Sequence, residues 1–268
     1  MLTKQEDECR LDAARRFDRE RAQIYDCQIR MVVPGYEALH SIVCSLLQLE
    51  LKKEASLLIA GAGTGTEIVN LGESSPGWRF VGVDPSADMV TVAHQRVSER
   101  GISERVNLYE GLVDELSSSE LFDAATLILV LHFVPDDGEK LRLLRSISSR
   151  LKPGAPFVIA DLHGDRTSSR FWRFIATWKN RQAALGMTGE EIEGLFENIL
   201  SEIQFIPAKR IEALMYEAGF DVIEPLYGTL LLGGWVASKS VGIRSAARSV
   251  HNPRSKPGLG CATEALTV

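Results

Sequence analysis

Between Ser56 and Leu162 the chain alternates short apolar runs with amphipathic stretches, and this alternation constrains its fold more than any other feature. "SLLIA" (56–60), "WRFVGVD" (78–84), "RVNLYEG" (105–111), "DAATLILVLHF" (123–133) and "APFVIADL" (155–162) read as strands. Thr64 to Leu71, Ser86 to Arg100 and Gly138 to Leu151 read as helices between them. Strand–helix–strand repetition implies a parallel sheet with helices on both faces. Strands that are apolar throughout fit a sheet buried on both sides.

The flanks break the pattern. Residues 3–22 read as a helix of mixed charge, and a Pro34–Gly35 turn leads into an apolar-periodic helix from about Tyr36 to Leu49. Arg166 to Phe205 is mostly helical, and a further helix after Pro207 stops at Gly219. "FDVIEPLY" and "TLLLGGWVAS" then form two strands joined near Gly228, short enough for an antiparallel pair. The expected fold is α/β: a Rossmann-like, doubly wound, mostly parallel sheet with a C-terminal antiparallel hairpin, N-terminal helices and a helical insertion.

In such a sheet, ligands sit beyond the carboxyl ends of the strands. The turn after the first strand is "GAGTG", with Gly61, Gly63 and Gly65, and it lets a ligand approach bare backbone. A dinucleotide fingerprint needs its third glycine where Thr66 stands, so a nicotinamide-type cofactor is disfavoured. No triphosphate-cradling motif is present either. Asp84 ends the second strand, nineteen residues beyond Gly65, where a carboxylate can accept both hydroxyls of a ribose. The pair reads as a nucleoside site.

Composition narrows the partners. The 268 residues are 45% hydrophobic with a net charge of −6, which gives no general reason to bind nucleic acid or an anionic membrane. The four cysteines (Cys9, Cys27, Cys44, Cys261) form no CxxC pair, so neither a metal site nor a disulfide framework is expected. The densely charged N-terminus does not read as a signal peptide, and no apolar run nears the ~20 residues of a membrane span. A cytoplasmic location is expected.

"LLIAGAGTGTE", "FVGVDPSADMVTVA" and "LHFVPDDGEKLRLLRSISSRLKPGAPFVIADL" resemble the core motifs of class I S-adenosylmethionine (SAM) dependent methyltransferases over about residues 35–165. "VPGY" (33–36), "LHFV" and the helical insertion further resemble the carboxy-SAM synthase group, which acts in tRNA wobble-uridine modification. The resemblance implies SAM as cofactor. It places Tyr36, Gly61, Ala62, Gly63, Gly65, Asp84, Pro85, Leu112 and Val113 around it. Ile59, Leu112 and Ile128 stand where these families commonly carry polar contacts. Leu214 stands where the carboxy-SAM group has its carboxylate-binding arginine, with Arg210 one turn earlier. Ordinary SAM is therefore expected, because a buried carboxylate without a cation is costly. The chain divides into an N-terminal helical lid or arm (1–34), a SAM-binding methyltransferase domain (35–238, helical insertion about 166–206) and a tail (239–268) expected to be disordered.

Methyl transfer needs a nucleophile brought into line and, for a hydroxyl, a base. His132, His163 and Asp161 at the strand ends are the catalytic candidates. In "SRFWRFIATWKN", Phe171, Phe174, Ile175 and Trp178 share a helical face and Trp172 lies off it. Phe171, Trp172, Trp178 and Tyr25 are the candidate substrate contacts, as a roof over an aromatic or apolar small-molecule methyl acceptor. The same insertion could support a homodimer. Carboxy-SAM formation and non-catalytic SAM binding are the alternatives.

Overall fold

A computed structural model describes residues 16–117 and 120–241. The expected tail from residue 242 on, the first half of the expected arm, and Cys9 and Cys261 lie outside the described residues, while Lys239, expected to open the tail, ends the last strand. Helices α1 (Arg19–Val32) and α2 (Tyr36–Glu50) lead into β1 (Ser56–Ala60), α3 (Thr66–Ser74), β2 (Arg79–Asp84), α4 (Ala87–Glu99), β3 (Val106–Glu110) and β4 (Ala124–Ile128). The chain continues through α5 (Glu139–Ser149), β5 (Pro156–Leu162), α6 (Ser169–Ala184), α7 (Gly189–Glu202), α8 (Ala208–Glu217), β6 (Phe220–Thr229) and β7 (Leu232–Lys239).

The strands form one seven-stranded sheet in the order β3-β2-β1-β4-β5-β7-β6. All neighbours run parallel except β7, which is antiparallel to both β5 and β6. Strand order reverses between β1 and β4, so the glycine turn after β1 sits at the switch point, where crevices form. Pleating splits the core in two. Ala124 and Ile128 of β4 face the layer built by α2, α3, α6 and α7, while Ala125 and Leu127 face α5 and α8. No helix among the described residues is long and apolar enough to cross a membrane.

Two boundaries differ from the sequence reading. The fourth strand stops at Ile128 rather than Phe133, because Leu129 turns into the left-handed region (φ 58°) and Leu131–Phe133 form a single 3-10 turn. That turn is held from below by Lys140, whose fully buried ammonium donates to the Leu131 carbonyl at 2.6 Å. The hairpin reverses at Leu230–Leu231 rather than at Gly228, which lies inside β6 opposite Gly233.

Helix α1 crosses over the carboxyl ends of the strands and is pinned along its length. The Ser86 hydroxyl donates to the Phe17 carbonyl (2.8 Å) just before it, and Asp18 caps its first turn by accepting from the Arg21 N–H (2.9 Å). In its middle, the Asp26 carboxylate accepts from the hydroxyls of Thr64 (2.7 Å) and Thr66 (2.9 Å) and pairs with Arg96, which itself donates to both threonines. At its end, the carbonyls of Met31 and Val32 accept from Arg181 and Trp178 (2.8 and 2.7 Å). Burial would raise the Asp26 carboxyl, but the hydrogen bonds from Arg96, Thr64 and Thr66 hold it below its usual range.

That depression means Asp26 stabilises the fold above the ordinary carboxylate range, and the contribution is lost as pH falls through its lowered value. Asp26 and Arg96 side chains are only 15% and 27% exposed, so the pair is not a surface ornament. Asp26→Ala is expected to cost about 1–3 kcal/mol at neutral pH, read as a lower urea midpoint. A midpoint unchanged at pH 7 would mean that the pair contributes nothing net.

Candidate active site

The first cavity, of about 180 Å³, opens at the switch point. Gly61, Gly63, Asp84, Pro85, Leu112 and Val113 line it, together with Met89, Ile128 and Val130. Gly63 (φ 51°) has no atom within 4 Å of where a side chain would start, so its backbone faces open space. Gly61 (φ 72°) has the opposite reason to be glycine: a Cβ there would lie 2.2 Å from a Val130 methyl. Ala62 is buried, and Gly65 caps the start of α3 against Ala93. Asp84 is the polar centre of this cavity. Its two oxygens accept from the Gly63 N–H (2.8 Å) and the Ser86 N–H (2.9 Å). Burial pushes its carboxyl up to about 6, partly offset by those two donors. An ionised carboxylate has about four acceptor positions, so roughly two remain for a ligand.

The second cavity, of about 630 Å³, lies between α1, the Leu131–Phe133 turn and the α6–α7 insertion. Phe17, Tyr25, Leu129 and Phe133 line both cavities, which therefore adjoin one another. Burial drives the Tyr25 phenol above its usual range, with Asp26 and Asp84 adding to the effect. His132 is 4% exposed and lines this second cavity. Its Nδ1 pairs with the Asp161 carboxylate, which also accepts from the His132 backbone N–H (3.1 Å) and the Leu162 N–H (2.6 Å). Its Nε2 has no hydrogen-bond partner among the described residues.

The other sequence candidates fall as follows. His163 packs edge-on against Trp235 (5.4 Å between ring centres) and lines neither cavity; burial lowers its imidazole. Trp178 is buried and lines the second cavity, whereas Phe171 is core, packed against Phe205. Trp172 is 45% exposed and donates to the Arg166 carbonyl, away from both cavities. Tyr36 is buried on α2 against His40 (4.5 Å) and lines neither cavity. Arg210 pairs with Asp136 through two 3.0 Å contacts and with Glu217, and Leu214 is fully buried.

Several residues of consequence carry no local sequence signal. The Asp26–Arg96 pair spans seventy positions, and Phe17 gains its role only because α1 folds back. Glu67, two residues past Gly65, is buried in the first turn of α3, and burial raises its carboxyl to about 7. The "GTGTE" polar run contains the hydroxyls that receive Asp26, but nothing in that run says which carboxylate arrives.

Residues 58–157 match the methyltransferase domain family. Over 218 residues the chain is 24% identical to a carboxy-S-adenosyl-L-methionine synthase of Campylobacter hominis, covering 79% of this chain and 88% of that protein. Human N-acetylserotonin methyltransferase in complex with SAM shares the fold at 20% identity, with a TM-score of 0.52 over 75% of this chain and 51% of that one. An O-methyltransferase family 2 protein of Planctomyces limnophilus, in complex with apigenin, shares it at 17% identity, with a TM-score of 0.55 over 75% and 56%.

Asp84 yields a two-part prediction. Asp84→Ala is expected to weaken SAM binding by about 1–3 kcal/mol in calorimetry, as charge-assisted hydrogen bonds are lost. In the wild type, only the ionised carboxyl accepts ligand hydroxyls through charge-assisted hydrogen bonds at both oxygens. Affinity should therefore be flat above about pH 7 and fall toward about tenfold per pH unit below about 6. A flat profile from pH 5 to about 8 would remove Asp84 ionisation from binding.

Proposed function

This chain carries a class I SAM-dependent methyltransferase domain, and we propose that it methylates a hydroxyl of an apolar small molecule held in the second cavity. The observation that carries this reading is His132, with Nδ1 tied to Asp161 and an unpartnered Nε2 on a large, mostly apolar cavity.

The first cavity suits the nucleoside of SAM. Asp84 keeps acceptor capacity for the ribose, Gly63 offers bare backbone, and Met89, Leu112, Val113 and Ile128 give apolar walls for a flat base. SAM, when bound, supplies a methyl group already activated on a sulfonium. The protein's own work is then positioning and proton handling. Asp161 fixes the His132 ring and stabilises its positive charge, leaving Nε2 to take the hydroxyl proton of an acceptor and return it to solvent. Leu129, Leu162, Ile199 and Trp178 hold the acceptor's apolar body, and α1 with Phe17 and Tyr25 keeps water from where the two cavities adjoin. An insertion dimer would use Trp172 and Leu185, both exposed.

The carboxy-SAM alternative draws support from the Campylobacter relative. We favour ordinary SAM because Leu214 stands where the carboxy-SAM group has its carboxylate-binding arginine, and Arg210, one turn earlier, is paired with Asp136 outside both cavities. Mass spectrometry of ligand released from the purified protein tests this: SAM or its demethylated product is expected, and carboxy-SAM would reverse the preference.

His132→Ala should lower kcat by about 10²–10⁴ with an accepted hydroxyl substrate while leaving SAM affinity within about twofold. An unchanged kcat would remove His132 as the base. A parallel loss of SAM binding would make its role structural.

A further inference from the structure

We propose that the second cavity selects acceptors bearing a positive charge, namely apolar alcohols or phenols that also carry an amine, and rejects those bearing a carboxylate or phosphate. This rests on the methyl-transfer reading only in taking the second cavity as the acceptor's place.

The cavity's charged lining is one-sided. Asp18 and Glu20 stand at the start of α1, Glu191 in the first turn of α7 and Glu202 at its end. Against these four carboxylates stands one lining cation, Arg21, which faces Glu202 at 3.7 Å. Arg16 lies next door, over the Phe133 ring, and donates to the Glu202 carbonyl (3.0 Å). Counting both arginines, the rim still carries net negative charge. Asp18 accepts from the Arg21 N–H. Glu191 accepts from the Thr188 N–H (2.7 Å) and hydroxyl (2.9 Å), which hold its carboxyl below the usual range.

Independently of the rim, the buried His132 lines the same cavity, with Nδ1 held by Asp161 and no hydrogen-bond partner at Nε2 among the described residues. Between these polar features the lining is apolar, with Leu129, Leu162, Trp178, Leu195 and Ile199. A ligand that satisfies all three has a hydroxyl for His132, an apolar body, and an ammonium for the carboxylates. Because acids stand at the start of both α1 and α7 and again at Glu202, an ammonium need not occupy one fixed place to be attracted. A carboxylate would lose its hydration shell beside like charges. A low-dielectric cleft lined by one sign of charge concentrates the opposite sign, and salt weakens the effect.

The test uses three rigid probes of one shape: 4-hydroxybiphenyl, its 4′-aminomethyl derivative and its 4′-carboxylate. Binding to the full chain saturated with S-adenosylhomocysteine is measured by calorimetry, and methylation with SAM by product mass spectrometry. The aminomethyl probe should bind about tenfold or more tighter than the carboxylate at low salt, with the neutral probe between them. The gap should shrink severalfold in about 1 M salt and in Glu20→Lys, an exposed position outside the proton-handling pair. Equal or tighter carboxylate binding overturns the proposal. So does a gap that ignores both salt and Glu20→Lys, and so does failure of all three probes to bind. Charge-ordered binding with no methylated product overturns the methyl-transfer reading and leaves the selection standing. Methylation of all three with equal kcat/KM overturns the selection and leaves the reaction standing.

Discussion

Both cavities owe their shape to where one carboxylate comes to rest. Asp26, in the middle of α1, is received by Thr64, Thr66 and Arg96, which belong to the glycine turn, the start of α3 and the end of α4. This fixes α1 across the strand ends. With α1 in place, Phe17 and Tyr25 become a wall for two cavities at once. The cost of burying a charge is offset by two hydroxyl donors and a guanidinium, so the site is satisfied rather than merely paired. The same threonines that follow the glycines thus serve the roof, while Gly63 keeps an open face toward a ligand and its N–H holds Asp84.

Much of the remaining chemistry depends on ionisable groups placed where water is scarce. Asp84 is raised by burial yet keeps two backbone donors, which leaves it close to its own midpoint in mildly acidic solution. Asp161 is almost fully buried and shares its oxygens between the His132 ring and two backbone N–H groups. Lys140 is buried beneath the same turn, its ammonium on the Leu131 carbonyl, and burial lowers its affinity for a proton. These groups give the strand ends a fixed internal electrostatic pattern that does not rely on bulk solvent.

The alternation of apolar runs was enough to read the sheet, its parallel core and its C-terminal hairpin. Period and turn chemistry are local properties, and "GAGTG" with Asp84 marks the switch point by strand order alone. What escaped was set by distant contacts. "DAATLILVLHF" reads as one strand to Phe133, yet Leu129 leaves the pleat because the following turn is held by Lys140 from α5. His163 and Asp161 would share a face if β5 continued, but the strand ends at Leu162 and the His163 ring settles on Trp235. The apolar face of α6 was legible as a face, but its periodicity does not say that Trp178 meets a cavity while Phe171 meets Phe205.

The tethers of α1 also impose an order of assembly. Its partners include Arg96, Trp178, Arg181 and Glu202, so some lie about 150 residues or more further along the chain. During synthesis α1 precedes all these partners; Asp26 can meet Thr64, Thr66 and Arg96 early, but the full set of tethers forms only after the α6–α7 insertion has emerged. Closing a loop of that length is slow compared with pairing neighbouring strands and helices. The parallel strands can therefore form beneath an incompletely tethered α1, and the roof of a nascent chain's cleft stays incomplete until the α6–α7 insertion has been made. A helix made before the sheet thus belongs to a wall of the binding site that is completed late.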